Sequence, residues 1–156
     1  QMVGGDDHAV LGRDRLRRRM IGIVFQNLRL ISALSVRQNL SLAQHIALGR
    51  DDPDGVAGLI EGVGLAHRAD ARPRELSQGE AQRAAIARAL INGPAVLLAD
   101  EPTGNLDRHN GELVFRKSRE LAEQLGVAII MVTHNETASK FASRTVHLKD
   151  GRIHDD

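Results

Sequence analysis

Two adjacent carboxylates, Asp100 and Glu101, follow directly on the apolar run Ala95-Val96-Leu97-Leu98-Ala99. Such a run, bounded by polar residues, reads as a buried strand. In open α/β sheets ligands collect beyond the carboxyl ends of strands, so the pair stands where chemistry is done. Adjacent strand positions point to opposite sides. One acid can therefore hold a hydrated Mg²⁺ ion while the other orients or deprotonates a water. In isolation D-E-P-T-G also reads as an ordinary acidic turn.

A second cluster of interest is Ser77-Gln78-Gly79-Glu80. Ser77 followed three residues later by Glu80 is a capping box. The first amides of a helix lack internal partners and attract anions, and a glycine there lets a phosphate approach the backbone. The cap and the phosphate site are compatible readings. Gln26 and His134 each follow an apolar run, I-G-I-V-F and A-I-I-M-V-T. Both could converge on the sheet edge that carries Asp100 and Glu101. A glutamine can bridge a metal-bound water, and an imidazole can donate to a phosphate oxygen. His134 also fits a helix-initiating turn capped by Thr133 or Asn135. The remaining histidines show no ligand spacing.

These side chains need a frame, and the chain supplies an alternation of strands and helices. A short basic helix is expected over Gly12 to Met20, then a strand from Ile21 to Phe25. From Asn27 to Pro73 the apolar spacing turns helical, with Val36, Leu40, Ala43 and Ala47 on one face. The polar turn Asp51 to Gly55 leads into a further short helix. A helix starting at Ser77 stops at Asn92-Gly93-Pro94. Strand 95–99, a helix over 109–125, strand 127–132, a helix over 136–142 and strand 144–148 follow, with Asp150-Gly151 turning into a last short strand. Short apolar runs alternating with helices imply a parallel sheet covered on its faces.

At 156 residues, with 42% hydrophobic and 26% charged residues, the chain fits one ordinary globular domain. It has no cysteine, so a disulfide scaffold or thiolate metal site is excluded. The longest apolar run, Val127 to Val132, is far short of a membrane span, and Q-M-V-G-G-D-D lacks the apolar core of a signal peptide. A first residue of Gln suggests a cut chain. Net charge is only +1 and three Phe are the sole aromatics, so no nucleic-acid partner is expected. Arg13, Arg15, Arg17, Arg18 and Arg19 read as a solvated basic face. No G-x-x-x-x-G-K-[ST] loop, which would cradle a nucleotide's own phosphates, occurs anywhere.

Taken in order, these elements resemble the nucleotide-binding domain of ATP-binding-cassette transporters over almost the whole chain. Gln26 stands at the family's Q-loop, Leu76 to Glu80 at its signature, Val96 to Glu101 at its Walker B strand, Gly104 to Asp107 at its D-loop and His134 at its switch histidine. I-G-I-V-F-Q-N-L-R-L-I, A-D-E-P-T-G-N-L-D and V-T-H-N look like the lipoprotein-release and macrolide-export type. The resemblance implies an α/β fold. Residues 1–26 and 94–156 would form part of a P-loop, RecA-like core, and 27–93 a helical subdomain carrying the signature. It implies ATP and Mg²⁺, with nucleotide sandwiched between two head-to-tail domains. Ser77, Gln78, Gly79 and Glu80 would face the γ-phosphate held by the other domain. Glu101 would be the general base, Asp100 and Gln26 would serve Mg²⁺ and the lytic water, His134 would clamp the γ-phosphate, and Asp107 would cross the interface. The stretch from Gln26 to about Asn39 would receive a permease at the cytoplasmic face of the bacterial inner membrane.

The chain departs from the family pattern in lacking the Walker A loop, in Gln78 where the first signature glycine stands, and in Glu80 where a glutamine is usual. This polypeptide alone is accordingly expected to be inactive. A translation-factor or chromosome-maintenance ATPase is the alternative, although the latter needs a long coiled-coil insertion between Gln26 and Ser77. A natural pseudo-ATPase lacking Walker A is the other. The transported substrate is not written in this sequence.

Overall fold

The computed structural model describes residues 20–155, so the expected basic helix and the arginine run before Met20 lie outside the described residues. Three strands, β1 (Ile21–Val24), β2 (Val96–Asp100) and β3 (Ala128–Val132), form one parallel sheet in the order β1-β2-β3. The register sets Val24 beside Ala99 and Asp100 beside Val132, so the carboxyl ends of all three strands share one edge. Gln26, Glu101 and His134 all leave from that edge.

Parallel strands need crossovers, and helices supply them. α1 (Val36–Leu48) is capped by Ser35 in a box with Gln38 and ends at Gly49, which takes the left-handed conformation a side chain would resist. α2 (Pro53–Gly62) starts earlier than expected: Asp52 caps it and Pro53 occupies its first turn, so D-D-P-D-G is a helix start rather than a free turn. α3 (Gln78–Leu90) carries the capping box at Ser77. α4 (Arg108–Leu125) is capped by Asp107 and closes at Gly126.

One buried cluster joins these pieces. Val24, Leu97 and Ala99 of the sheet meet Ile86 and Leu90 of α3, Val114 and Leu121 of α4, and Leu40, Val56 and Ile60 of the helices between. Alternation along the strands sends the other residues to the opposite face. There Ile23, Ile130 and Val132 are 41%, 57% and 62% exposed. The expected cover on both faces is therefore met on only one among the described residues, because α3 and α4 pack on the same side.

Two further expectations are corrected. The run near 144–148 forms β4 (Val146–Lys149), which pairs only with β5 (Arg152–Asp155) as an antiparallel hairpin outside the parallel sheet. Its two-residue turn, Asp150-Gly151, has positive φ at both positions, the geometry that folds a chain straight back on itself. The segment expected as a helix over 136–142 is a 3₁₀ stretch, Glu136–Phe141, started by Asn135, whose side chain accepts from the Thr137 amide.

Candidate functional site

The site begins where β2 ends. Asp100 is the last strand residue and is exposed. Glu101 turns the chain with φ +45, an unfavourable conformation for a residue with a side chain. Its amide donates to the Val132 carbonyl at 2.8 Å, tying the turn to the end of β3. That bend aims the carboxylate at His134. The His134 backbone amide donates to Glu101 Oε1 at 3.0 Å, and His134 Nδ1 lies 2.8 Å from the same oxygen. Nδ1 must carry the proton to bond there. The other oxygen, Oε2, is buried and has no partner. Burial pushes the Glu101 carboxyl up, but the His134 hydrogen bonds, with the nearby Thr133 hydroxyl, outweigh it and hold the group below the usual carboxylate range.

A cavity of about 270 Å³ opens beside this carboxylate. Gln26, Leu76, Gln78, Gln82, Glu101 and Asn105 are among its walls. The structure thus brings Gln26, Gln78 and Glu101 to one space and joins His134 to it through Glu101. Gln82 is a lining residue that motif spacing did not single out; it is buried and its Nε2 is unpartnered. Its position one turn into α3, just ahead of the buried alanines Ala84 and Ala85, was the available signal.

Ser77, Gly79, Glu80 and Asp107 form a neighbouring group that does not line the cavity. The Glu80 amide donates to Ser77 Oγ at 3.3 Å, and the Ser77 amide donates to Glu80 Oε2 at 2.8 Å. Arg68 Nε donates to Glu80 Oε1 at 3.2 Å. The bond from Ser77 is the main reason the Glu80 carboxyl lies below its ordinary range; burial opposes it and Arg68 assists. The Asp107 carboxylate accepts from the Asn110 amide at 2.9 Å and its Nδ2 at 2.6 Å, bonds that lower the Asp107 pKa. Asn110 in turn sits against the signature turn: a Cβ on Gly79 would stand 3.0 Å from Asn110 Oδ1. Asn110 was also missed, although D-x-x-N at a helix start is a readable cap.

The three carboxyls lowered by folding, Glu80, Glu101 and Asp107, have the same consequence. A group depressed in the folded state contributes stability that is complete above its unfolded pKa and is lost as pH falls through the folded one. The chain should therefore keep its melting temperature from neutrality to about pH 5 and lose it progressively below about pH 4, around and under the free glutamate value. Glu80→Gln should flatten that fall, and thermal melts across the range would show it. A Glu80→Gln profile as steep as wild type would remove Glu80 from the account.

The acids and amides at the strand edge are hard oxygen donors, the kind Mg²⁺ prefers. No cluster of three or more His, Asp or Glu capable of holding a metal exists among the described residues. The donor set fits an ion that keeps several waters and borrows phosphate oxygens, and does not fit a closed protein cage. Asp100 and Gln26 both stand at the carboxyl edge of the sheet, and of the two only Gln26 lines the cavity.

The family model of the ABC transporter matches residues 3–104. The chain is a member of the ABC transporter family. It is 42% identical over 141 residues to the lipoprotein-releasing system ATP-binding protein LolD 1 of Chlorobium luteolum, covering 89% of this chain and 60% of that protein. It is 44% identical over 145 residues to the macrolide export ATP-binding/permease protein MacB of Syntrophobacter fumaroxidans, covering 90% of this chain and 20% of that one. Both transporter types suggested by the motifs are thus among its relatives. Among solved structures, the ABC cassette MJ0796 in a dimeric post-hydrolysis state bound to ADP and Pi superposes with a TM-score of 0.79 at 32% identity, covering 97% of this chain and 68% of that one. The chain spans about 60% of the length of LolD 1. No helix among the described residues is long and apolar enough to cross a membrane.

Proposed function

We propose that this chain is the ATPase part of an ABC transporter, working on ATP at an interface between two cassettes. The observation that carries the reading is the state of Glu101. One oxygen is fixed by His134 and the other is buried without a partner, on a residue that lines the same cavity as Gln26. A carboxylate held on one side and unpaired on the other is ready to take a proton from water. The depressed pKa keeps it ionised at neutral pH.

In this reading Glu101 is the general base and His134 both orients it and reaches the γ-phosphate. Asp100 and Gln26 hold Mg²⁺, which neutralises phosphate charge when bound. Ser77 and Gly79, at the start of α3, present a hydroxyl and an amide respectively to a γ-phosphate held by the second copy, flanked by Gln78 and Glu80. Asp107, exposed at the start of α4, crosses to that copy. Residues 1–26 and 94–156 act as the catalytic core and 27–93 as the helical subdomain. A membrane permease docks on the stretch from Gln26 to about Asn39, at the cytoplasmic face of the bacterial inner membrane. Lipoprotein release or macrolide export, the roles named for the relatives, mark the kind of work.

Two results test this. The polypeptide of these 156 residues should neither bind nor hydrolyse MgATP, because its sequence holds no G-x-x-x-x-G-K-[ST] motif to cradle the nucleotide's own phosphates. A cassette completed to the length of its relatives should dimerise when MgATP is added, read by light scattering. Hydrolysis by the 156-residue chain, or a completed cassette that ignores MgATP, would refute it.

A further inference from the structure

Arg88 lies near the C-terminal end of α3, at the opposite end of that helix from Ser77. Its guanidinium donates through Nη2 to the Leu28 carbonyl at 2.8 Å and through Nη1 to the Arg29 carbonyl. Both acceptors belong to the loop that follows Gln26. A planar fork can hold two neighbouring carbonyls at once, which a single ammonium cannot. The guanidinium is half-buried, and burial pushes its pKa down. An arginine is nonetheless charged at any accessible pH, so a cation has been drawn out of water to make these bonds.

The loop it holds is not relaxed. Arg29 has φ +51, and its guanidinium carbon lies 4.1 Å from the centre of the Phe25 ring, a cation–π contact. Left-handed backbone at a residue with a full side chain persists only where its surroundings impose it. Beside this contact, α3 presses on β1 so closely that a Cβ on Gly22 would stand 2.5 Å from the Ala89 carbonyl oxygen. From Arg88 α3 runs unbroken for about 16 Å back to the cap at Ser77.

We propose that Arg88 is a positioning residue that couples the loop after Gln26 to the phosphate-facing turn at Ser77, with α3 as the rod between them. A displacement of residues 27–31 then reaches Ser77 and Gly79 through the two carbonyl bonds. The inference rests on the reading above, in which a permease bears on that loop, and it names the side chain through which the push travels.

Hydrogen exchange on the purified chain tests it without nucleotide, so failure of ATP binding and failure of coupling are separate results. Arg88→Met keeps an unbranched stem and loses both donors; Arg88→Lys keeps the charge but spans only one carbonyl. The Met variant should exchange at least tenfold faster at Leu28–Ile31 and several-fold faster at the Glu80 amide, with β2 and α4 unchanged. The Lys variant should fall between it and wild type, and it carries the test if the Met variant does not fold. Arg29→Gly relieves the backbone and leaves both carbonyls in place, so it should leave the Glu80 amide at the wild-type rate. Faster exchange in the loop with no change at Glu80 would overturn the coupling. So would uniform acceleration across the chain, or an Arg29→Gly variant that loosens the Ser77 turn as much as Arg88→Met.

Discussion

Replacing Glu101 with glutamine should cut ATP hydrolysis by a completed cassette by about 10²–10⁴-fold, the usual contribution of a positioned base. Nucleotide binding should survive. The substitution is close to isosteric, and the amide oxygen still accepts from the His134 backbone amide that Glu101 Oε1 now engages at 3.0 Å. The strained turn is also equal in the two proteins, since glutamine meets the same φ +45. What changes is the unpaired Oε2, which becomes an amide nitrogen unable to take a proton. Phosphate release measured beside nucleotide affinity separates these effects. A variant that hydrolyses within a few-fold of wild type would show that the base lies elsewhere.

Gly22→Ala should be the most damaging small change to the fold. The added methyl would stand 2.5 Å from the Ala89 carbonyl oxygen and 3.0 Å from Leu97 Cδ1. The leucine can rotate away; the carbonyl belongs to the backbone of α3 and cannot. Relief requires α3 to lift from β1, opening the cluster around Val24, Leu90 and Leu97. Overpacking of this kind costs about 2–3 kcal/mol, which lowers Tm by roughly 4–12 °C in a chain of this size. Calorimetry would measure it. An unchanged Tm would mean that α3 and β1 are less tightly pressed than they stand here.

The site was legible where function and local structure use the same residues. The three apolar runs that became β1, β2 and β3 each end in a polar residue, so alignment of their carboxyl ends followed from a parallel sheet. Ser77 with Glu80 announced a helix start by spacing alone. Legibility failed where the decisive term is tertiary or lies in a backbone angle. Pro53 marked a turn to the eye but the first turn of α2 in fact, because proline suits either place. The run at Val146–Lys149 has strand propensity, and nothing local says that its partner is β5 rather than β3. The left-handed turn at Glu101 has no sequence mark, since glutamate is not a residue that favours it. Gln82 and Arg88 owe their interest to what lies across from them, the cavity and the two loop carbonyls.

Ser77, Asp107 and Asn135 each complete a helical turn, and the proposed function gives Ser77, Asp107 and Asn135's neighbour His134 a second role. A descendant that had abandoned turnover would still keep these three for the sake of folding, so their presence alone says little about live chemistry. Glu101 is the opposite case. It sits on an unfavourable backbone angle and leaves one oxygen buried without a partner, so beyond the two bonds to His134 architecture gains little from it. In a mutational scan scored only for abundance, glycine at 101 should be tolerated or even enriched, while alanine at 77, 107 or 135 is depleted. Scored for transport, the ranking at 101 should invert.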